Sequence, residues 1–359
     1  MKNIVFVLPQ YPLFVSGGYK IAFEYANRLV ADNFDVTVIF LNDGAPHFLK
    51  LPSFIKRYIM NLVTRKRISW FDLDKRIHIV SSTSFNFKKK VRKADIVVAS
   101  AAITADFVKN NFENSKKIYL IQDFETWDMD KKKLYETYNY GFKNIVISKW
   151  LENLVDKHSN EKSIYIKNPI DINRYKIEIP VSKRDPFTVG MLYHSGKHKG
   201  TKYAIAALKE VKEVCPALKV IMFGTSNLSE QYPEWMTYYK NASQSQTIKI
   251  YNSISVFVCA TINEGFGLTG LEAMACGAAL ASTDYLGVHE YAVDNKNALL
   301  SPVKDVDALA NNVIKLITNE ELRERLEKNA MNYIEGFSWE HAYNKFKQVC
   351  NELSSENNS

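Results

Sequence analysis

The sequence predicts an α/β protein of two Rossmann-like domains, each a parallel sheet covered by helices. Three observations predict it. Short apolar runs alternate with amphipathic stretches of helical spacing, the pattern of strands joined through crossover helices. The alternation opens twice, at Ile4–Leu8 and at Thr188–Leu192, each time as strand, glycine-containing loop and helix. With 359 residues the chain is long enough for two domains of ordinary size.

Taken in order, Ile4–Leu8 is the first strand and Gly17-Gly18 ends the loop after it. Tyr19–Val30 then places Ile21, Ala22, Tyr25, Ala26 and Leu29 on one helical face. Val36–Leu41, Ile77–Val80, Ile96–Ser100, Ile118–Ile121 and Asn144–Ile147 read as further strands. The join falls around Lys167–Asp171 and Ile179-Pro180, where Pro169 and Pro180 disfavour helix just before them. The pattern restarts near Pro186 with strand Thr188–Leu192, a loop ending in Lys199-Gly200, and helix Thr201–Val214. Val220–Phe223, Ile254–Ala260 and Ala278–Thr283 are strands, with a short helix at Gly267–Cys276. After Ser301-Pro302 the chain is helical: Asp305 is an N-cap for Val306–Ile317, and Thr318-Asn319-Glu320-Glu321 reads as a capping box. Ser338 is the candidate N-cap of a last helix, and the polar tail from Ser354 is expected to fray. The expected domains are 1–175, 176–337 and a terminal helix with its tail, 338–359.

Composition excludes several classes. No apolar run approaches the roughly 18–20 residues that cross a bilayer. Met1–Pro9 is too short for a signal peptide and reads as a strand. Cys215, Cys259, Cys276 and Cys350 are scattered, without the spacing of a zinc site or a disulfide frame. The expectation is a cytoplasmic protein. A net charge of +8 and a pI near 9.0 favour anionic partners such as phosphorylated small molecules or an anionic membrane. No nucleic-acid-binding module is legible.

The most informative stretch is 264-EGFGLTGLE-272. Gly265, Gly267 and Gly270 fit the G-x-G-x-x-G spacing of dinucleotide-binding loops, and Asp284 ends the next strand where such a loop wants an acid. The run lies deep in the second half, however, whereas that fingerprint belongs at a first strand-to-helix turn. Either way, a helix starting near Gly267 gathers free N–H groups and positive potential that suit a diphosphate. The flanking glutamates suit a different ligand: Glu264 on the loop and Glu272 one turn inside the helix can each grip vicinal hydroxyls. Two sugars either side of a diphosphate make a sugar nucleotide. Read singly, Glu264 is equally a first-turn dipole partner and Glu272 equally a surface residue.

Glu264 to Glu272 has the E-x7-E form, and with Leu271-Glu272-Ala273-Met274-Ala275-Cys276-Gly277 it resembles the signature of the retaining glycosyltransferases of family 4, the glycosyl transferases group 1, which have the GT-B fold. The resemblance extends over nearly the whole chain. Gly17-Gly18 is similar to that family's N-terminal glycine loop, and Asn168-Pro169-Ile170-Asp171 to its N-G-I-D interdomain segment, with Pro169 in place of Gly. His198-Lys199-Gly200-Thr201 is similar to its K-G loop, and Phe337-Ser338-Trp339-Glu340 to the start of its last helix. The resemblance implies two Rossmann-like domains facing a cleft, with a C-terminal helix crossing back to the first.

It also implies a nucleoside-diphosphate sugar as donor substrate and no metal or other cofactor. Lys199 would neutralise the diphosphate, with the amides of Phe266, Gly267, Leu268 and Thr269 beside it. Glu264 would bind the transferred sugar and Glu272 the ribose. Gly17 and Gly18 would let the backbone approach the diphosphate, and Gly224 would border the base, together with the loop around Ile250-Tyr251. Asp128-Met129-Asp130 matches a D-x-D metal motif by letters only.

Two positions depart from the family. Where an arginine often follows the strand glycine, Met191 follows Gly190, leaving Lys197, His194 or His198 to supply a cation. Where a His-Asp pair is common, the chain has Gln122-Asp123-Phe124-Glu125. Gln122 and Asp123 are the catalytic candidates there, beside Lys199 and Glu264, although an amide cannot shuttle a proton. The same four residues resemble a segment of rhamnosyltransferases of surface polysaccharides, implying a deoxysugar donor such as dTDP-rhamnose and a glycan or polyprenol-linked acceptor.

Residues 50–71, KLPSFIKRYIMNLVTRKRISWF, form a basic amphipathic stretch, equally an ordinary surface helix or a segment that lies on an anionic membrane. Phe85–Lys90 has the same character. Attachment to the inner face of the cell membrane is the functional expectation. Two other readings stay open: a catalytically silent GT-B partner protein and an NAD-dependent oxidoreductase.

Overall fold

Ile4 to Val7, an unbroken run of residues with no exposed surface, forms an inner strand of the first of two sheets. Strands buried on both faces read as continuous apolar runs, the mark of a parallel sheet with helices on each side. The computed structural model describes residues 2–43, 51–52, 54–56, 58–59, 68–83, 87 and 93–355. The chain divides into two compact units: Met1–Asn168 with Glu340–Ser359, and Pro169–Trp339.

In the first unit β1 (Asn3–Leu8) is followed by helix α1 (Gly17–Ala31) and strands β2 (Asp35–Leu41), β3 (His78–Ser82) and β4 (Ile96–Ala99). Then come α2 (Ala102–Asn111), β5 (Lys116–Ile121), α3 (Lys131–Thr137), β6 (Lys143–Val146), α4 (Lys149–His158) and β7 (Ile164–Tyr165). The strands form one parallel sheet in the order β3-β2-β1-β4-β5-β6-β7. The order reverses direction between β1 and β4. The sheet's last covering element is the C-terminal helix α10 (Trp339–Ser355), which returns to this unit as the family resemblance implies. Phe346 stacks on Tyr25 of α1 at 4.3 Å between ring centroids and on Phe6 of β1 at 6.3 Å. Beside them, Asp32 accepts hydrogen bonds from the Tyr343 hydroxyl (2.6 Å) and Lys347 Nζ (2.7 Å). Those two donors hold its carboxyl below the usual range.

The second unit runs β8 (Thr188–Leu192), α5 (Thr201–Val214), β9 (Lys219–Gly224), β10 (Met236–Lys240), α6 (Gln244–Ser253) and β11 (Val256–Cys259). It continues with α7 (Leu268–Ala275), β12 (Ala279–Thr283), β13 (Leu299–Ser301), α8 (Val306–Thr318) and α9 (Glu320–Ile334). Its sheet is again parallel, in the order β10-β9-β8-β11-β12-β13. The core packs Val189, Met191, Val220, Met222, Val256 and Val258 of the sheet against Leu208 and Val211 of α5 and Leu309 and Val313 of α8. Ile170 and Ser338 pair as a parallel bridge, with the Ile170 amide donating to the Phe337 carbonyl (2.9 Å). The two points where the chain passes between units therefore lie side by side.

The structure corrects one cap. Thr318 closes α8, its hydroxyl bonding back to the Ile314 carbonyl (2.8 Å). Asn319 is the N-cap of α9, its side chain accepting from the Leu322 amide (2.9 Å). Asn outranks Thr as a cap. Asp305 caps α8 as expected. All four cysteines are buried. Half of the basic stretch 50–71 (50, 53, 57 and 60–67), and all of 84–92 but Phe87, lie outside the described residues. Among the described residues no helix is long and apolar enough to cross a membrane.

Candidate functional site

In doubly wound sheets ligands bind outside the carboxyl ends of the strands, where the strand order reverses. In the second unit that point lies between β8 and β11. The loops leaving these two strands carry Lys199 and Glu264, and the Lys199 ammonium is paired with the Glu264 carboxylate. Both side chains are largely buried, at 17% and 21% exposure. The two loops are tied together by the Ile262 amide, which donates to the His198 carbonyl (2.7 Å). Gly200 makes the approach possible: its φ is +66°, and a Cβ there would overlap the Ala260 carbonyl.

The chain after Glu264 turns sharply into α7. Gly267 takes φ +94° immediately before the helix, and a Cβ at this position would overlap the Tyr285 hydroxyl. Leu268 and Thr269 open the helix, whose first turn leaves amide N–H groups without intrahelical partners. Gly265 and Phe266 are buried, the Phe266 ring against Tyr291 (5.7 Å) and Phe337 (6.4 Å). Gly270 belongs to packing: a Cβ would sit 2.5 Å from the Tyr291 hydroxyl. The Tyr285 and Tyr291 hydroxyls are hydrogen-bonded at 2.6 Å and buried beneath the loop. Gly287 seals the other side, where a Cβ would lie 2.6 Å from the Glu264 carbonyl oxygen.

Glu272 is not the surface residue its spacing allowed. It is 8% exposed and accepts a hydrogen bond from the Tyr251 hydroxyl (3.2 Å). Gly224 ends β9 and packs against the Tyr193 carbonyl so closely that a Cβ would overlap it. Met191 points into the apolar core of the sheet, so no cation stands there. His194 and His198 flank Gly196 with ring centroids 5.7 Å apart. His194 Nδ1 accepts from the Gly196 amide (2.9 Å), which leaves Nε2 as the donor nitrogen. Burial first, then the Lys199 ammonium, lowers both imidazole pKa values, so both rings are neutral at neutral pH. Asp284, the acid a dinucleotide loop would use, lies 2.7 Å from His289 Nε2.

In the first unit the reversal point lies between β1 and β4. Gly17 opens α1, and a Cβ on Gly18 would stand 3.2 Å from the Gln122 amide group. The structure thus brings the glycine loop and the Gln122-Asp123 turn together. Asp123 Oδ1 accepts from the Phe124 amide (2.8 Å). Asp130 caps α3, accepting from the amides of Lys132 and Lys133, which gives the D-x-D letters a structural role. Glu125 is buried, and its Oε2 accepts from the Ala102 amide at the start of α2 (2.5 Å). Burial pushes its carboxyl up to about 8. Sequence reasoning passed over the burial of Glu125 and over Tyr285, Gly287 and Tyr291, and it placed Tyr251 on a loop near the base rather than on a helix against Glu272. Glu125, inside the Gln122–Glu125 segment, and Tyr251, beside Ile250, carried some signal; the other three carried none.

A cation beside the start of a helix stabilises an anionic leaving group, and buried carboxylates grip hydroxyls. Comparison with known proteins agrees. Residues 173–333 match the family glycosyl transferases group 1. An uncharacterized glycosyltransferase of Methanocaldococcus jannaschii is 27% identical over 222 residues, 59% of this chain and 60% of that protein. A capsular polysaccharide biosynthesis glycosyltransferase of Staphylococcus aureus is 25% identical over 199 residues, 53% of this chain and 52% of that protein. The matches thus span between half and two thirds of these curated relatives. Among solved structures, Anabaena HepE in complex with UDP and glucose superposes with a TM-score of 0.75 at 15% identity, covering 99% of this chain and 100% of that one. The second unit of the chain is therefore similar to the glycosyl transferases group 1 family, and the chain as a whole has the GT-B fold.

Proposed function

We propose that the protein is a retaining glycosyltransferase that moves a sugar from a nucleoside diphosphate to a glycan or polyprenol-linked glycan during surface polysaccharide synthesis. The observation that carries this is the pairing of Lys199 with Glu264 at the reversal point of the second sheet, beside the start of α7. The similar HepE structure holds UDP and glucose, and a similar S. aureus protein is named for capsular polysaccharide biosynthesis.

In this reading the donor diphosphate replaces Glu264 as the partner of Lys199. As the bond between the sugar's anomeric carbon and the phosphate oxygen breaks, charge builds on the leaving phosphate. The Lys199 ammonium and the first amides of α7 stabilise it, so no metal is required. Freed from Lys199, the Glu264 carboxylate accepts hydrogen bonds from hydroxyls of the departing sugar, while Glu272 takes those of the ribose. The acceptor oxygen bonds to the anomeric carbon on the face the phosphate leaves, and its proton passes to a phosphate oxygen. Gln122 and Asp123 of the first unit are the proposed groups for the hydroxyls of the reacting sugars. A deoxysugar donor such as dTDP-rhamnose fits the resemblance of residues 122–125. We further propose that residues 50–71 hold the enzyme on the cytoplasmic face of the membrane.

The test is turnover of a panel of UDP-, GDP-, ADP- and dTDP-sugars, with the product anomer read by NMR. Lys199→Ala and Glu264→Ala should each lower kcat/KM by about a hundredfold or more while the protein still unfolds cooperatively. Stabilisation by NAD and by no sugar nucleotide would favour an oxidoreductase. Donor binding without turnover on any acceptor would favour a silent partner protein.

A further inference from the structure

Glu272 sits on α7 and Tyr251 on α6, and their contact is held from both helices. The Tyr251 ring has no exposed surface and lies among Phe223 (5.5 Å), Phe257 (5.7 Å) and Tyr175 (6.4 Å). The Arg184 guanidinium, itself buried, donates to the Tyr251 carbonyl (3.3 Å) and the Ile254 carbonyl (3.1 Å) at the end of α6. It also donates to the Cys276 carbonyl (2.7 Å), one residue past α7. One side chain thus pins the ends of both helices, and the Tyr251 hydroxyl and the Glu272 carboxylate meet between them at 3.2 Å.

We infer that Tyr251 is a positioning residue, whose hydroxyl fixes the Glu272 carboxylate in the orientation that receives the ribose hydroxyls of the donor nucleotide. This rests on the ribose reading of Glu272 given above. A carboxylate offers about four acceptor directions, so a fixed donor such as the Tyr251 hydroxyl can set its rotation without using up its capacity to accept. Burial, and then the neighbouring carboxylate, pushes the Tyr251 hydroxyl far above its ordinary pKa, so it stays a donor at every working pH. Nothing in the α7 sequence encodes this: the partner comes from a different helix, 21 positions away.

The experiment compares the calorimetric affinity of UDP, GDP, ADP and dTDP with that of their 2′,3′-dideoxy counterparts, in wild type and Tyr251→Phe. Wild type should prefer the hydroxyl-bearing form of its nucleotide. Tyr251→Phe should shrink that preference by about tenfold and leave the dideoxy affinity within about twofold. Equal weakening of both forms, or an unchanged preference, overturns the inference, because a packing role moves both alike. Should Tyr251→Phe lose cooperative unfolding, 3-fluorotyrosine at 251 replaces it: the stronger donor should raise the preference, and no change overturns the inference. A wild type that binds the nucleotides without preferring the hydroxyls overturns the ribose reading. One that binds none overturns the donor site, and the inference with it.

Discussion

Lys199 and Glu264 were legible because each stands beside glycines in a spacing that few other sites share. Their surroundings were not. Gly267 shows why: its φ of +94° could be anticipated from a glycine before a helix, but the Tyr285 hydroxyl it must clear comes from beyond the next strand. Gly267→Ala should therefore cost about 2–4 kcal/mol, combining a left-handed backbone with overpacking, seen as a lower unfolding temperature. An unchanged transition would mean the loop relaxes away from Tyr285. Glu125 was hidden for the opposite reason, since nothing in a run of polar residues marks one of them as buried. Its folded pKa of about 8 lies above the ordinary 4.5. Its contribution to stability is thus complete below pH 4.5 and is lost as pH rises through 8. Compared with wild type, Glu125→Gln should gain about 4 kcal/mol of relative stability between pH 5 and pH 9. Denaturant titrations at the two pH values check this; a gap independent of pH would place the carboxyl in water.

At the scale of elements, strands read well where they are buried almost throughout and mostly apolar, as in β1, β2, β8 and β12. Edge and polar elements escaped. β10 reads Met-Thr-Tyr-Tyr-Lys at one edge of its sheet, with four of its five residues outside the core. β13 has three residues, and α6 opens with Gln-Ser-Gln-Thr, which no apolar periodicity announces. The missed α6 mattered most, because it carries Tyr251. Helix α10 was legible as a helix, and its destination came from family resemblance, since no sequence pattern names a partner face. Its anchor is Phe346, fully buried against Tyr25 and Phe6. Phe346→Ala should destabilise the protein by about 3–5 kcal/mol. Hydrogen exchange should accelerate in β1 and α1 while β8 and β11 keep their protection. Equal loosening of both sheets would contradict that division.

At the scale of the whole molecule, two parallel sheets were foreseen because the strand–helix alternation restarts, and charge added a direction. The net +8 draws the protein towards anions, and residues 50–71 concentrate Lys50, Lys56, Arg57, Arg65, Lys66 and Arg67. Each basic residue near an anionic surface contributes roughly 1 kcal/mol. Wild type should co-sediment with phosphatidylglycerol vesicles at low salt, and a variant with these six changed to Gln should stay in the supernatant. Pelleting of both would move the membrane contact elsewhere.

The paired crossings at Ile170 and Ser338 also bear on how the protein is made. The first unit is discontinuous in the chain, and the second, 169–339, is continuous. On a ribosome adding about 5–20 residues per second, Phe6 and Tyr25 emerge long before Phe346 exists to cover them. The later unit can complete its core first, while the earlier one waits, its sheet lacking one covering helix until α10 leaves the exit tunnel. The stretch of synthesis after β1 is thus the interval in which a nascent chain of this protein most needs a chaperone.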